Sequence, residues 1–219
     1  MRSRKPAITV DSMADAIVRF NDLFGESPLA GLETGGAIIS PIEEASLIAL
    51  IDETDPTPFR FQGWFGRRLT KSYGISYDFD AARLELAAPI PDWLMSVRTR
   101  AAGFAGLDEA DLTQALLIRY DPGAGIGWHR DRPFYEHVIG ISLGAAATMR
   151  FRRRAAKGFD RFAVPLPPRS IYRLSGEARH TWEHSIAPMD ATRWSITFRS
   201  LSPSGLAALR RALPAVRVE

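Results

Sequence analysis

Apolar and polar residues alternate most regularly in the C-terminal half of the chain. Short β-branched and aromatic runs at Leu116–Tyr120, Val138–Leu143, Thr148–Arg152, Phe162–Leu166, Ser170–Leu174 and Arg193–Phe198 read as strands. Turn residues divide them: Asp121-Pro122-Gly123, Gly158, Pro167-Pro168 and Ser175-Gly176. Many short strands at this spacing predict a β-sandwich or jelly-roll barrel. The N-terminal half reads differently. Ile17, Val18, Phe20 and Phe24 fall at helical spacing and predict a short helix over Ser12–Phe24, and Gly25, Pro28, Gly31, Gly35 and Gly36 predict a loop. Ser40-Pro41 followed by Glu43 and Glu44 is a helix start, with a hydroxyl cap, proline in the first turn and acids at the positive dipole end. That helix should reach about Glu53 and stop before Pro56. Phe59–Phe79 is aromatic, punctuated by Gly63, Gly66 and Gly74, and predicts short strands and turns. Pro91-Asp92 opens a helix to about Ala105, and Leu206–Leu213 predicts a last one.

These elements predict an α+β chain with N-terminal helices packed outside a β-barrel core. Residues 1–36 are expected as a flexible tail with a short helix, and 37–219 as one domain. Within that domain, helices and a lid should occupy about 37–113, the core about 114–201, and a helix the C-terminus. The length, 219 residues, suits one well-cored domain.

Composition narrows the chemistry. There is no cysteine, which excludes disulfides, thiolate metal sites and cysteine nucleophiles. A transition metal must therefore sit on Asp, Glu or one of four histidines, His129, His137, His180 and His184. The net charge of +3 and the pI near 9.5 are compatible with a phosphate-bearing partner. No apolar run approaches the ~20 residues of a membrane span, and the basic start Met1-Arg-Ser-Arg-Lys-Pro lacks a signal-type apolar core, so a cytoplasmic location is expected.

Within Gly127-Trp128-His129-Arg130-Asp131, a His-x-Asp pair would share one face of an extended segment. His184 follows after several strands, which leaves room for the barrel to fold back. Two histidines and a carboxylate on one side form the facial triad of non-haem iron(II) oxygenases. On its own, His-x-Asp also fits a surface turn. The run Thr192-Arg193-Trp194-Ser195-Ile196-Thr197-Phe198-Arg199 adds to it. If Trp194, Ile196 and Phe198 pack outward, then Arg193, Ser195, Thr197 and Arg199 enter the barrel, where buried arginines need anionic partners. Arg193 and Arg199 should stand about 20 Å apart along a strand at ~3.3 Å per residue, too far to grip the same carboxylate.

Taken together, these residues resemble the AlkB family of 2-oxoglutarate- and iron(II)-dependent dioxygenases. The likeness runs through Tyr120-Asp-Pro-Gly-Ala-Gly-Ile-Gly-Trp-His129-Arg-Asp131, Ile139-Gly-Ile-Ser-Leu-Gly, Pro168 to Ile186 and Arg193 to Arg199. Weaker likeness extends upstream through Phe61-Gln-Gly-Trp, Arg67-Arg68, Tyr73-Gly, Tyr77 and Pro89-Ile-Pro-Asp-Trp-Leu. The resemblance implies a double-stranded β-helix with His129, Asp131 and His184 as iron ligands. It implies Tyr120 and Arg193 on the distal carboxylate of 2-oxoglutarate, with Ser195 beside them and Arg199 nearer the metal. Fe(II), 2-oxoglutarate and O2 would be the cofactor and cosubstrates, with no catalytic side chain beyond the ligands. The implied reaction is oxidative demethylation of alkylated DNA or RNA bases by a monomer. The same oxidation of a protein side chain, nucleoside or small metabolite is the alternative.

Three positions depart from the family's pattern. Ile118 and Ser195 stand where asparagines are usual, and Pro133 stands where the best-known repair members carry an acid facing the target base. Trp64, Arg67, Arg68, Tyr73 and Tyr77 are candidates to stack a flipped base and pair its phosphates, or are half-buried strand residues and solvated cations. Arg150, Arg152, Arg153, Arg154 and Lys157 are a charged hairpin in water or a phosphate-contacting edge. Trp128 and Trp182 are expected to wall the pocket, Glu183 to orient a ligand or lie exposed, and His137 and His180 to be structural.

Overall fold

The computed structural model describes residues 29–61 and 63–212, with the side chains of Phe61 and Trp64 outside the description; the helix expected over Ser12–Phe24 also falls outside the described residues. Two facing sheets form the core. The larger runs β1 (Leu32–Ala37), β10 (Ser170–Leu174), β7 (Tyr135–Gly144), β12 (Arg193–Leu201), β5 (Leu112–Tyr120), β3 (Trp64–Asp78) and β2 (Thr57–Phe61), with β4 (Arg83–Leu86) paired to β3. The smaller runs β6 (Ile126–His129), β11 (Glu183–Ile186), β8 (Ala147–Arg154) and β9 (Phe159–Leu166). All strand pairs in both sheets are antiparallel. This is the expected jelly roll with helices outside.

Helix α1 (Pro41–Glu53) begins where the sequence places it. The Ser40 side chain accepts from the Glu43 amide at 3.1 Å, supplying one of the free first-turn N–H groups with a partner. The half-turn Asp92–Leu94 leads into α2 (Met95–Ala105), and α4 (Pro203–Ala212) is the last described helix. Helices α1 and α2 cover the outer face of the larger sheet. Ile51, Leu94, Val97 and Ala101 pack there against Ala115, Leu117, Ile139, Ile141, Ile196 and Phe198. Glu44 locks α1 to the sheet: its carboxylate accepts from the Gly144 amide at 2.9 Å and from Arg169 Nη1 at 3.0 Å. A second cluster fills the space between the sheets, built from Ile118, Tyr120, Val138, Met149, Phe151, Tyr172, Leu174 and Ile186.

The structure departs from expectation at β1, β3, α3 and β11. The glycine-rich "loop" of Gly31–Gly36 is largely β1, so the boundary expected at 36/37 falls inside a strand. Gly35 is small because Phe104 of α2 lies over it; a Cβ there would approach the ring to 2.9 Å. The short strands expected over Phe59–Phe79 are one hairpin whose second arm, β3, has 15 residues. Short α3 (Gly176–His180) and β11 are additional elements.

Candidate active site

The alternation of β12 places its side chains as the pattern requires. Trp194, Ile196 and Phe198 join the helix-side core, while Arg193, Ser195 and Thr197 are buried on the opposite face. On neighbouring β5 the inward set is Gln114, Leu116, Ile118 and Tyr120. Register sets Arg193 opposite Tyr120 and Ser195 opposite Ile118. Two strands therefore present one inner surface with an arginine at each end.

At one end, Arg199 donates from Nη2 to Asp131 Oδ1 at 2.8 Å and from Nη1 to Gln114 Oε1 at 3.1 Å. Asp131 lies just past the end of β6, and Arg179 of α3 holds the loop that follows, donating to the carbonyls of Arg132 and Tyr135. His129 ends β6, and register puts it directly opposite His184 of β11. Their rings lie 4.2 Å apart between centroids, and His184 Nε2 is 3.6 Å from Asp131 Oδ2. One ligand atom from each of His129, Asp131 and His184 falls within 4.8 Å of the other two. Among the described residues, His137 and His180 take no part. The His137 amide donates to Ser200 Oγ, and His180 Nε2 lies 3.3 Å from Glu136 at the surface.

The protonation states suit a divalent cation. Burial pulls the His184 imidazole down, and nearby His129 adds to this against the opposite pull of Asp131, leaving it at about 3. Burial likewise lowers His129, with Asp131 and the Gly127 carbonyl opposing. Burial alone would raise Asp131, but Arg199, His184, His129 and Arg179 together hold its carboxyl well below the usual carboxylate range. At neutral pH the group is thus two neutral imidazoles and one carboxylate. His129 Nδ1–H donates to the Gly127 carbonyl at 2.9 Å, which leaves the Nε2 lone pair free. Two imidazole nitrogens and one carboxylate oxygen, with no thiolate, is the donor set of a non-haem iron(II) site.

At the other end, Arg193 is 1% exposed and among the largest fully buried side chains. Its Nε donates to Ser142 Oγ at 3.2 Å, its guanidinium stands 5.2 Å from the Tyr120 ring centre, and its Nη1 has no hydrogen-bond partner among the described residues. A buried cation with a free N–H fits a carboxylate ligand of the kind 2-oxoglutarate would bring. Ser195 is buried on the same strand face, opposite Ser142 and Ile118.

A cavity of about 670 Å³ stands over this centre, lined by His129, Asp131 and Arg199 below and by β2, β3 and Trp128 above. Of the expected substrate residues, Arg68 and Tyr77 line it. Arg67 and Tyr73 do not: Arg67 is exposed, and Tyr73 packs on the helix-side core. The cause is a change of parity along β3. Arg68, Thr70 and Ser72 face the cavity at even numbers, while Tyr77 and Phe79 face it at odd numbers. Between them Gly74 takes φ +76°, with the Thr113 carbonyl 2.2 Å from where a Cβ would sit. The Trp64 side chain lies outside the description. Trp128 walls the cavity as expected. Trp182 does not; it is buried in the core, donating from Nε1 to Glu177 at 3.2 Å. Glu183 faces away from His184 and pairs with Arg152 at 2.6 Å.

In the arginine-rich β8 hairpin, Arg152 and Arg153 have acidic partners, while among the described residues Arg150, Arg154 and Lys157 form no ion pair. Arg153 pairs with Asp160 and Glu177, and Arg150 and Arg152 lie over the Trp128 ring at 5.3 and 4.5 Å. Sequence reasoning missed Gln114, Arg179, Phe59, Phe79 and Arg132. Gln114 was within reach, since it shares a strand face with Tyr120. Nothing local marks Arg179, whose role depends on α3 meeting the loop after Asp131.

Comparison with known proteins agrees with this geometry. Residues 59–201 match the 2OG-Fe(II) oxygenase superfamily. The chain is 31% identical over 155 residues to tRNA (carboxymethyluridine(34)-5-O)-methyltransferase alkbh8 of Xenopus tropicalis, covering 68% of this chain and 24% of that protein. It therefore spans about a quarter of that relative's length. It is 25% identical over 211 residues to alpha-ketoglutarate-dependent dioxygenase alkB homolog 4 of Mus musculus, covering 80% and 69% of the two. The solved structure of OsALKBH1 superposes with a TM-score of 0.54 at 14% identity, over 78% of this chain and 96% of that one, which speaks for the shared fold. The inward-facing carboxylate between two histidines, the buried arginines of β12 and these matches together place the chain in the 2OG-Fe(II) oxygenase superfamily, as an AlkB-type oxygenase that uses Fe(II) and 2-oxoglutarate.

Proposed function

We propose that this chain oxidatively demethylates an alkylated base in DNA or RNA. The observation that carries the reading is the cavity directly over His129 and Asp131, walled by Phe59, Tyr77, Phe79 and Trp128 with arginines between them. Its volume of about 670 Å³ is of the order expected for a small planar ligand. Aromatic and guanidinium surfaces around a reactive centre suit a base taken out of its stack. The relatives named for tRNA and for alkB-type oxidation support the same direction.

When bound at His129, Asp131 and His184, Fe(II) with 2-oxoglutarate and O2 supplies the oxidant that hydroxylates a substrate C–H bond, with succinate and CO2 as the other products. A hydroxylated N-methyl group then leaves as formaldehyde and restores the N–H. The chain's own residues position the reactants. Arg193 and Tyr120 hold the distal carboxylate of the cosubstrate, and Ser195 sits beside them. Arg199 fixes the Asp131 carboxylate. Leu116 and Ile118 give the cavity an apolar inner wall that limits water. Arg68 and Tyr77 meet the substrate.

The test is to incubate iron-loaded protein and 2-oxoglutarate with single-stranded oligonucleotides carrying one N-methylated base. Mass spectrometry should show loss of the methyl group. Steady cosubstrate turnover that no methylated oligonucleotide stimulates would move the search to protein side chains, nucleosides or small metabolites.

A further inference from the structure

Among the described residues, the cavity lining carries Arg60, Arg68, Arg130, Arg132 and Arg199, and one acid, Asp131. Asp131 is occupied by Arg199. Arg60 pairs with Asp80 at 3.1 Å, and Arg130 is exposed to water. Arg68 and Arg132 remain. Among the described residues neither makes an ion pair, and both have aromatic partners. The Arg68 guanidinium lies 3.8 Å from the Phe59 ring centre. The Arg132 guanidinium lies 4.8 Å from that of Tyr77 and 5.0 Å from that of Phe79.

Bound cofactors leave this imbalance in place. A ferrous dication and a 2-oxoglutarate dianion cancel, both histidines are neutral, and Arg199 offsets Asp131. Arginine keeps its proton even half-buried. The walls therefore stay positive when the centre is loaded. Beside the lining residue Arg132, Pro133 adds no charge: it is exposed, lies outside the lining, and its carbonyl accepts from Ser202 Oγ at 2.8 Å.

Bases alkylated at a ring nitrogen fall into two electrical classes. Methylation at N3 of cytosine gives a cation, whereas methylation at N3 of uracil leaves a neutral ring with two carbonyl oxygens. A cationic ring placed against Arg68 and Arg132, with no acid to meet it, would suffer like-charge repulsion in a partly desolvated cavity. A neutral ring would present its oxygens to guanidinium N–H donors and its face to a planar stack. We infer that the substrate base is electrically neutral or anionic, with Arg68 and Arg132 selecting it through carbonyl or carboxylate oxygens. This rests on the nucleic-acid reading above and adds to it the substrate's charge class and two specificity residues.

The test compares two oligonucleotides of identical sequence, one with a single 3-methyluracil and one with a single 3-methylcytosine. Binding is read by fluorescence anisotropy on protein loaded with Mn(II) and 2-oxoglutarate, where no turnover occurs, and succinate formation is read separately with Fe(II). The 3-methyluracil strand should bind at least about tenfold more tightly. Arg68→Glu should remove or reverse that preference, and Arg132→Gln should narrow it. Circular dichroism and melting check that both variants fold. Equal or tighter binding of the 3-methylcytosine strand, or an unchanged preference in folded Arg68→Glu, overturns the inference while the nucleic-acid reading stands. Failure of both strands to bind at low salt overturns that reading and the inference with it.

Discussion

Arg199 and Asp131 form a buried ion pair at 2.8 Å, their side chains only 11% and 9% exposed, and the second carboxylate oxygen of Asp131 faces His184 at 3.6 Å. The two oxygens of one carboxylate are thus divided between an arginine and the metal-facing side. Such a pair contributes little net stability over an apolar replacement, but breaking it strands a charge. Its value lies in fixing the rotamer of a ligand.

The first prediction follows from that division. Arg199→Met should leave Asp131 without its main counter-charge and free to turn. Affinity for Mn(II) or Co(II), measured by calorimetric titration, should fall about 10–100-fold, the usual effect of losing a ligand's supporting hydrogen bond. Metal binding at wild-type strength would show that Asp131 is held by Arg179 and the backbone instead.

Arg193 gives the opposite balance of stability and binding. It is buried with Nη1 unpartnered among the described residues, so it burdens the protein when no cosubstrate is bound. Arg193→Met should weaken 2-oxoglutarate binding by about 2–5 kcal/mol. It should also leave the melting temperature of the ligand-free protein unchanged or raised. Weaker binding accompanied by a collapsed melting temperature would mean that Arg193 is principally a structural residue.

Gly74 tests the account of the lid. Its φ of +76° and the Thr113 carbonyl 2.2 Å from a would-be Cβ make Gly74→Ala incompatible with the local backbone. A loss of roughly 1–3 kcal/mol in unfolding free energy is expected from chemical denaturation. Substrate-stimulated turnover should fall with it, since Tyr77 and Phe79 depend on this bend to face the cavity. A variant with wild-type stability would show that β3 tolerates another register.

The metal-free protein should lose stability in weak acid. His184 titrates at about 3 in the folded chain against an ordinary 6.5, so the unfolded chain takes up a proton first as pH falls. Stability is fully present above about 6.5 and is lost on the way down towards 3, by at most about 1.4 kcal/mol per pH unit for this histidine. His129 shifts in the same direction. Asp131 is depressed, so its contribution is present above the usual carboxylate range and is lost only at lower pH still. Urea midpoints at pH 7.5, 6 and 4.5 should therefore fall in that order, and a bound divalent metal should raise the midpoint at pH 7.5 most. A flat profile across this range would contradict the buried, neutral state of the histidines.

Much of this was legible in the sequence, for physical reasons that differ from element to element. β12 was readable because its two faces lie in different environments, helix-packed and cavity-lining, so period-two alternation survives intact. The helix from Pro41 was readable from its cap, proline and acids alone. β1 was not, because most of it is exposed and Gly35 is there to admit Phe104, so composition imitated a loop. Tyr73 and Tyr77 share parity yet face opposite sides, because Gly74 shifts the alternation between them. The Phe59–Arg68 pair depends on the register of the β2–β3 hairpin, and the Tyr77–Arg132 pair joins separate segments of the chain, so no local pattern announces them.

In the proposed reaction an iron centre on His129, Asp131 and His184 oxidises a methylated base in the cavity above it. The most direct measurement is succinate formation by iron-loaded protein with 2-oxoglutarate, with and without a methylated single-stranded oligonucleotide, in the natural chain and in His184→Ala. The methylated strand should stimulate succinate formation over its unmethylated counterpart, and His184→Ala should abolish it. Undiminished turnover in His184→Ala, or none from the iron-loaded natural chain, would contradict the proposed reaction.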